Sequence, residues 1–314
     1  MQYPRKIQIG FQEGTCPLRC KKCPGFGEHA KEVKKAQKMS IQQAEKLIDE
    51  IVQMERVPII QPHIVTEPFA NEDLKEIIPY CCNKGITLSI ITNGILLNKE
   101  WMDLLILCLN RDTTLSFSLD AVTQKTYEKV RGQYDLIELE KKIEYLMDKR
   151  GKMGPRISVN FVYEEDNFDE KDSFLDKWKN KVDAVHIGVV LDEHKKVPAA
   201  YKIKEIDKKN KGCPFVQDVM VIDSDGGVRV CAQDAFGETN LGNVFEEGIL
   251  PVWNGEKRKE LLHKQERSLL EPSDFCFECD WGYCLYNFKE TEETEDFIIK
   301  KADYAVYYNR KESM

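Results

Sequence analysis

Three cysteines lie within eight residues near the start of the chain, in the segment Cys16-Pro-Leu-Arg-Cys20-Lys-Lys-Cys23. Cysteine thiolates hold iron–sulfur clusters at short spacings of this kind. A structural zinc site uses four ligands, usually in two separated pairs, whereas this group is a single set of three. The spacing therefore predicts an iron–sulfur centre with one iron position open to a small-molecule ligand.

A second cysteine group lies in the last third of the chain. Cys213 and Cys231 flank Gly226 in the pattern C-x12-G-x4-C, and Cys276 and Cys279 follow in Cys-Phe-Glu-Cys. The chain holds eleven cysteines but no apolar N-terminal stretch with a cleavage site, so we expect a reducing cytoplasm and no disulfides. The group predicts a second metal centre, and its spacing fits either an iron–sulfur cluster or zinc.

The elements that must position these groups alternate between strands and helices. Predicted helices separate successive predicted strands, and Ser40 with Gln43 forms a capping box for the first of those helices. This order predicts parallel strands joined by right-handed crossovers. Six units are too few for a closed eight-fold barrel, so an open sheet or a partial barrel fits. The predicted strands are 6–11, 59–65, 87–92, 114–119, 157–163 and 184–191.

The pattern changes after residue 204. The charged segment 201–212 predicts a linker, 219–231 predicts a hairpin with a turn at 224–227, and a helix is predicted near 255–265. The last segment, 286–314, is predicted to form a helix packed across another element. We therefore expect a core at 1–204, a cysteine-bearing module at 205–290 and a tail at 291–314.

Composition excludes several classes of protein. The chain has 314 residues, of which 42% are hydrophobic, so it can bury a large core. Its 46 Lys and Arg against 54 Asp and Glu give a net charge of −8, which does not favour nucleic acid or anionic membranes as partners. No apolar run approaches the roughly 20 residues that cross a bilayer. We expect a cytoplasmic protein.

The motif C-x3-C-x2-C after a first strand resembles that of the radical S-adenosylmethionine (SAM) superfamily, over about residues 5–195. The resemblance implies a partial (β/α)6 TIM-like barrel, an α/β fold. It also implies that Cys16, Cys20 and Cys23 hold a [4Fe–4S] cluster whose fourth iron is chelated by SAM. Reductive cleavage of SAM then yields a 5′-deoxyadenosyl radical that abstracts a hydrogen atom from a substrate.

The resemblance also assigns SAM contacts to polar residues at the strand ends, where ligands gather in parallel α/β folds. Thr66-Glu67-Pro68 stands where the family usually has Gly-Glu-Pro, and Lys22 stands where an aromatic residue that packs on adenine is common. The same residue types also cap ordinary turns, so each position alone is ambiguous. The implied SAM contacts are Glu67, Thr92, Asn93, Ser118, Asp120, Arg131 and Asn160.

The second cysteine group is similar to the twitch and SPASM modules of radical SAM enzymes, in which a β-hairpin and a helix hold auxiliary [4Fe–4S] clusters. Five cysteines are too few for two clusters, so we expect a twitch module with one cluster on Cys213, Cys231, Cys276 and Cys279. A structural zinc on the same thiolates is the alternative. Cys284 is left as a buried side chain, a substitute ligand or a hydrogen-atom donor.

The resemblance extends to the twitch-type dehydrogenases of aminocyclitol biosynthesis, so we expect a radical SAM oxidoreductase that dehydrogenates a small polar substrate. The auxiliary cluster would accept the electron, and a flavodoxin- or ferredoxin-type protein would supply the reductant. A base must accept the proton, and His194, Lys195 and Lys196 after the sixth strand, or Asp234, are candidates. The alternative is a maturase that epimerises or crosslinks a short peptide, although the cysteine motif at residue 16 leaves no room before it for a peptide-recognition domain.

Overall fold

The computed structural model describes residues 2–27, 37–189, 212–277, 279, 288–302 and 305–311. Its strands are β1 Lys6–Ile9, β2 Gln12–Glu13, β3 Gln37–Lys38, β4 Ile59–Gln61, β5 Ser89–Thr92, β6 Thr114–Ser118, β7 Arg156–Tyr163, β8 Ala184–Val189, β9 Val219–Ile222, β10 Gly227–Arg229, β11 Gly242–Asn243, β12 Glu290–Glu293, β13 Phe297–Lys301 and β14 Ala305–Arg310. Its helices are α1 Ile41–Val52, α2 Leu74–Asn83, α3 Lys99–Cys108, α4 Gln124–Val130, α5 Leu136–Lys149, α6 Lys171–Trp178, α7 Pro214–Asp218, α8 Val244–Glu247, α9 Ile249–Trp253 and α10 Glu256–Glu266.

Six parallel strands form the barrel wall, which confirms the predicted partial barrel. β1 pairs with β4, and β5, β6, β7 and β8 pair in chain order. A single parallel bridge from Ile60 to Leu88 joins the two groups of strands. The predicted capping box of α1 is present, with Ser40 and Gln43 bonded reciprocally. The strands therefore end at one rim, where the cysteine motif and the polar segments follow them.

Alternation along the strands separates an apolar outer face from a polar inner face. Ile157, Val159 and Phe161 of β7 belong to the main apolar core, which also contains the buried residues of α5. The residues between them, Ser158 and Asn160, point to the opposite side. The interior of the barrel therefore presents polar side chains to a ligand.

The predicted hairpin is formed by β9 and β10, and it extends the barrel sheet on the far side of β1. β9 runs parallel to β1, with Ile7 opposite Met220. Gly226 in the turn has φ +84°, and a Cβ atom there would lie 2.4 Å from the ring of Phe245. Glycine is therefore required at the centre of the C-x12-G-x4-C pattern.

The predicted C-terminal helix is wrong. The chain instead forms the antiparallel meander β12–β13–β14, and β14 pairs with β8 in the antiparallel sense, with Tyr307 opposite His186. β-branched and aromatic residues such as those of β13 and β14 favour strands, and β8 offers an edge whose backbone groups need partners. None of the described helices has the length and apolar character needed to cross a membrane.

His63 joins the end of β4 to β5 and must be neutral to do so. Its Nε2 atom accepts the Ile91 N–H at 2.9 Å, and its Nδ1 lies 3.3 Å from the Ile64 carbonyl oxygen. Burial lowers the pKa of His63 from 6.5 to about 4, and the ammonium of Lys6 acts in the same direction. The unfolded chain therefore binds a proton at His63 in a pH range where the folded chain does not.

We expect this imidazole to make the protein less stable as the pH falls from about 6.5 to about 4. The shift corresponds to a loss of about 3 kcal/mol in the free energy of unfolding across that window. Urea unfolding at pH 7 and pH 4.5 measures it, and His63→Gln should show a smaller pH dependence than the wild type. His263→Gln, on an exposed position of α10, should keep the full dependence. If the free energy of unfolding fell by the same amount between pH 7 and pH 4.5 in His63→Gln and in the wild type, the assignment would be contradicted.

Candidate functional site

The loop after β1 brings the first three cysteines together. Cys23 N–H donates to the Cys20 carbonyl at 2.9 Å, and Gly27 N–H donates to the Cys23 carbonyl at 2.9 Å. A Cβ atom on Gly27 would lie 2.5 Å from the Cys20 carbonyl oxygen, so only glycine fits inside this turn. Burial, reinforced by Glu67 and the other two thiols, raises the pKa of Cys16 to about 12. The three sulfurs therefore share one electrostatic environment.

Two side-chain donors reach these sulfurs, one from the residue after β5 and one from the C-terminal end of α4. The Asn93 amide Nδ2 lies 3.7 Å from Cys16 Sγ, and the Arg131 guanidinium Nη1 lies 3.7 Å from Cys20 Sγ. Both are hydrogen-bond donors, which suits sulfur atoms that carry negative charge. Such charge is present on sulfur when the cysteines bind a metal centre as thiolates.

Glu67 lies beside the cysteine loop and is 3% exposed. Its carboxylate accepts the Thr92 hydroxyl at 2.6 Å and the Asn93 N–H at 2.8 Å. Burial raises the pKa of Glu67 to about 7, against these hydrogen bonds. A ligand ammonium at this carboxylate would favour its charged form, as the predicted contact with the SAM amino group requires.

Thr66, which departs from the glycine usual in the family, has a structural use here. Its hydroxyl donates to the Thr15 carbonyl, and Glu67 N–H donates to the same oxygen at 3.0 Å. Thr15 directly precedes the first cysteine. These hydrogen bonds join the loop after β4 to the cysteine loop and fix the position of Glu67 relative to Cys16.

Asp120 lies behind the cysteine loop, is 0% exposed and has φ +59°, a conformation uncommon outside glycine. Its Oδ2 lies 2.5 Å from both Lys22 Nζ and Arg131 Nη2. Burial opposes ionisation, but the two cations outweigh it and hold the pKa of Asp120 below its usual value. Lys22 therefore turns into the protein, where it also lies 3.3 Å from Glu164.

A row of polar residues crosses the inner face of the barrel at one level. Ser118 pairs with Asn160, Asn160 pairs with His186, and His186 pairs with Tyr307 on the four adjacent strands β6, β7, β8 and β14. Asn160 Oδ1 lies 3.1 Å from His186 Nδ1, and the rings of His186 and Tyr307 are 4.8 Å apart. Burial lowers the pKa of His186 to about 4, so the imidazole is neutral.

His186 and Tyr307 were absent from the residues selected from the sequence. The alternation of β8 could have indicated His186, because it occupies a polar position between the apolar Val185 and Ile187. Tyr307 had no such signal, because its place depends on the pairing of β14 with a strand over a hundred residues earlier.

The four cysteines of the second group also converge. Burial raises the pKa of Cys231 well above its usual value, and the thiols of Cys213, Cys276 and Cys279 add to that effect. The pKa of Cys276 is raised by burial and by Cys279 and Cys213 in the same way. Gln265 of α10 holds the loop by accepting the Cys213 N–H at 3.1 Å.

Asp234 has a different environment from the other candidate residues. It is 0% exposed, and its carboxylate accepts Glu238 N–H at 2.7 Å and Thr239 N–H at 2.8 Å. These contacts close its own loop after Cys231. His194, Lys195, Lys196 and Cys284 lie outside the described residues.

Both donor sets consist of cysteine thiols, which are the ligands of iron–sulfur clusters. The thiols are buried or partly buried. Binding of a positively charged centre would offset the raised pKa values of Cys16, Cys23, Cys213, Cys231 and Cys276. Cys16, Cys20 and Cys23 would hold one cluster, and Cys213, Cys231, Cys276 and Cys279 the other.

Comparison with known proteins agrees with this geometry. Residues 14–174, just over half of the chain, match the radical SAM superfamily, and residues 213–280 match the SPASM iron–sulfur cluster-binding domain. AlbA of Bacillus subtilis (strain 168), a biosynthesis protein of the antilisterial bacteriocin subtilosin, is 24% identical over 249 residues. The match covers 69% of this chain and 54% of AlbA, so the chain spans about half the length of this curated relative.

Solved structures share the fold at low sequence identity. BtrN in complex with AdoMet and 2-DOIA aligns with a TM-score of 0.57 at 15% identity, covering 89% of this chain and 94% of BtrN. Streptococcus suis SuiB bound to precursor peptide SuiA gives 0.65 at 17%, covering 89% and 70%. The enzyme anSMEcpe with bound AdoMet gives 0.62 at 15%, covering 89% and 87%.

The cofactors follow from the two matched domains together with the two thiol sets. They are SAM with a [4Fe–4S] cluster for the barrel and auxiliary iron–sulfur for the SPASM domain. The converging cysteines, the buried glutamate at the strand ends and the domain matches all lead to one assignment: this chain belongs to the radical SAM superfamily and carries a SPASM domain.

Proposed function

We propose that this protein dehydrogenates a small polar substrate by oxidising a secondary alcohol to a ketone. The observation that carries the proposal is the polar row Ser118–Asn160–His186–Tyr307 on the inner face of the barrel. Its first two members are among the SAM contacts expected from the sequence, so a substrate beside SAM would lie against the other two. The match to BtrN over 94% of that protein supports a small substrate.

When bound, SAM and the N-terminal cluster would supply a 5′-deoxyadenosyl radical capable of removing the carbinol hydrogen atom of the substrate. The substrate must then lose one proton and one electron to become a ketone. With the Asn160 amide oxygen as acceptor, His186 Nδ1 carries the proton of the neutral ring and Nε2 keeps its lone pair. The auxiliary iron–sulfur cluster that Cys213, Cys231, Cys276 and Cys279 would hold would supply the electron acceptor. Loss of the electron leaves a protonated ketone, and we assign its proton to His186 Nε2. Because a protonated ketone is a strong acid, the neutral imidazole can accept this proton although burial lowers its pKa to about 4.

Modification of a peptide is the second candidate function. AlbA, at 24% identity, is a bacteriocin biosynthesis protein. SuiB, which shares the fold of this chain, binds a precursor peptide. In that case the same row would contact a peptide side chain. His194, Lys196 and Cys284 stay candidates for proton or hydrogen transfer in either reaction. A flavodoxin- or ferredoxin-type reductant in the cytoplasm is also part of the proposal.

The two functions are separated by following the hydrogen atom. The anaerobically reconstituted protein is incubated with dithionite, SAM and cyclitols or aminocyclitols deuterated at the carbinol carbon. Deuterium in 5′-deoxyadenosine together with a ketone product supports the dehydrogenase. Deuterium transfer only from labelled peptides encoded beside the gene would replace it with peptide modification.

If His186 accepts the proton, its replacement should uncouple SAM cleavage from ketone formation. His186→Gln should still form 5′-deoxyadenosine, but the ketone formed per 5′-deoxyadenosine should fall on the order of 10²-fold, because a positioned base is lost. Mass spectrometry of both products measures the ratio. His263→Gln is the matched control and should keep the wild-type ratio. An unchanged ratio in His186→Gln would remove the proton-accepting role from this residue.

A further inference from the structure

Arg131 connects a cluster cysteine to a buried carboxylate. It caps the C-terminal end of α4, and its side chain is 12% exposed. One guanidinium nitrogen, Nη1, lies 3.7 Å from Cys20 Sγ, and the other, Nη2, lies 2.5 Å from Asp120 Oδ2. The planar guanidinium fixes the direction of both contacts at once. The positive charge is therefore held against the sulfur.

Asp120 is itself held rigidly from three sides. Its Oδ1 accepts Val162 N–H at 2.7 Å, and its backbone carbonyl accepts the Asn167 amide at 2.8 Å. Lys22 Nζ lies 2.5 Å from the same Oδ2 atom that Arg131 contacts. Lys22 is in the loop between Cys20 and Cys23, so this ion triad joins the cysteine loop to β6 and α4.

A fixed charge in such a site affects a bound iron–sulfur cluster. Reduction adds negative charge to the cluster and its thiolates, and the protein tunes the potential through hydrogen bonds to sulfur, nearby charge and burial. These effects are strong where water is excluded, because the effective dielectric constant is low. Lys22 and Arg131 favour the reduced state, whereas Asp120 opposes it.

We propose that Arg131 sets the reduction potential of the N-terminal cluster through its contact with Cys20 Sγ, and that Asp120 and Lys22 are its positioning residues. This role is separate from the proposed substrate chemistry, because it needs only the cluster. It uses Lys22 at a position where the family commonly has an aromatic residue. It gives Arg131 a contact with a cluster cysteine, and Asp120 a contact with Arg131, in place of the SAM contacts expected from the sequence.

The triad predicts shifts of opposite sign. Arg131→Met removes a positive charge and a hydrogen bond to sulfur, so the midpoint potential should become more negative. Asp120→Asn removes a negative charge but keeps a side-chain oxygen that can accept from Arg131, so the potential should become more positive. Lys22→Met should shift it in the same direction as Arg131→Met but by less, because Lys22 has no sulfur contact among the described ones. Lys21→Met is the matched control: the side chain is 50% exposed and pairs with Asp166, so solvent screens it.

The measurement is an anaerobic redox titration followed by electron paramagnetic resonance, without SAM or substrate. Cys276→Ala with Cys279→Ala in every variant removes the auxiliary signal. We expect at least a tenfold change in the ratio of reduced to oxidised cluster for Arg131→Met, which is about 59 mV for one electron. Lys21→Met should match the parent protein.

Iron content and far-UV circular dichroism are measured on the same samples. Shifts of the same sign for Arg131→Met and Asp120→Asn, or no shift in either, would overturn the proposal. Loss of the cluster from both would also overturn it, because the triad would then only support the loop. Arg131→Lys, which keeps the charge but lacks the planar fork, should fall between the parent and Arg131→Met. Since no substrate is present, these results do not depend on whether the dehydrogenase reaction is correct.

Discussion

Replacing Cys16, Cys20 and Cys23 together by Ala should abolish the formation of 5′-deoxyadenosine from SAM. The three thiols converge in one loop, where Asn93 donates to Cys16 and Arg131 donates to Cys20, and the variant lacks all three proposed cluster ligands. The variant should bind about four fewer iron atoms per chain than the wild type. Liquid chromatography of the reaction with dithionite and SAM measures the first effect, and a ferrozine assay measures the second.

Cys82→Ala with Cys108→Ala is the matched control for this experiment. These thiols are partly exposed on α2 and α3, and neither contacts the loop cysteines in the described contacts. The control should keep its iron and its 5′-deoxyadenosine. Formation of 5′-deoxyadenosine by the triple variant would show that the catalytic cluster is held elsewhere in the chain.

Replacing Cys276 and Cys279 by Ala should separate SAM cleavage from substrate oxidation. The two thiols belong to the SPASM domain and interact with Cys213 and Cys231, while the barrel residues proposed to hold SAM are untouched. We expect 5′-deoxyadenosine to form at near the wild-type rate, ketone to fall at least a hundredfold, and iron to fall from about eight to about four per chain.

The metal content of the wild type is the internal control for the second prediction. About four irons with one zinc in the wild-type protein would contradict an auxiliary cluster on these thiols. Ketone formation by the double variant at the wild-type rate would remove the auxiliary centre from the path of the electron.

Local patterns predicted much of the barrel correctly. The capping box at Ser40, the six strand–helix units and the hairpin around Gly226 depend on residues close together in the chain. Hydrogen bonding and apolar periodicity over a few residues fix such elements. The C-terminal segment was misassigned as a helix for the opposite reason, since β14 is stabilised by an edge strand far away in sequence.

Some of the polar residues selected from the sequence lie around the cysteine loop, and others have a different structural use. Glu67, Asn93 and Arg131 come together around the cysteine loop because the ends of parallel strands meet at one rim. Asp234, selected for its nearness to Cys231, instead holds its own loop by accepting backbone N–H groups. Lys22, which stands where the family commonly has an aromatic residue, forms an ion pair with Asp120.

By itself, the sequence determined the two thiol sets, the order of strands and helices in the barrel, and the family, because cysteine ligands and apolar periodicity are recognisable over short stretches of sequence. The tertiary structure alone decided that His186 and Tyr307 share one row and that Arg131 and Lys22 share one carboxylate. The first contact depends on strand register, and the second depends on the pairing of buried charges. Both are set by long-range packing, in which water is excluded and an unpaired charge is costly.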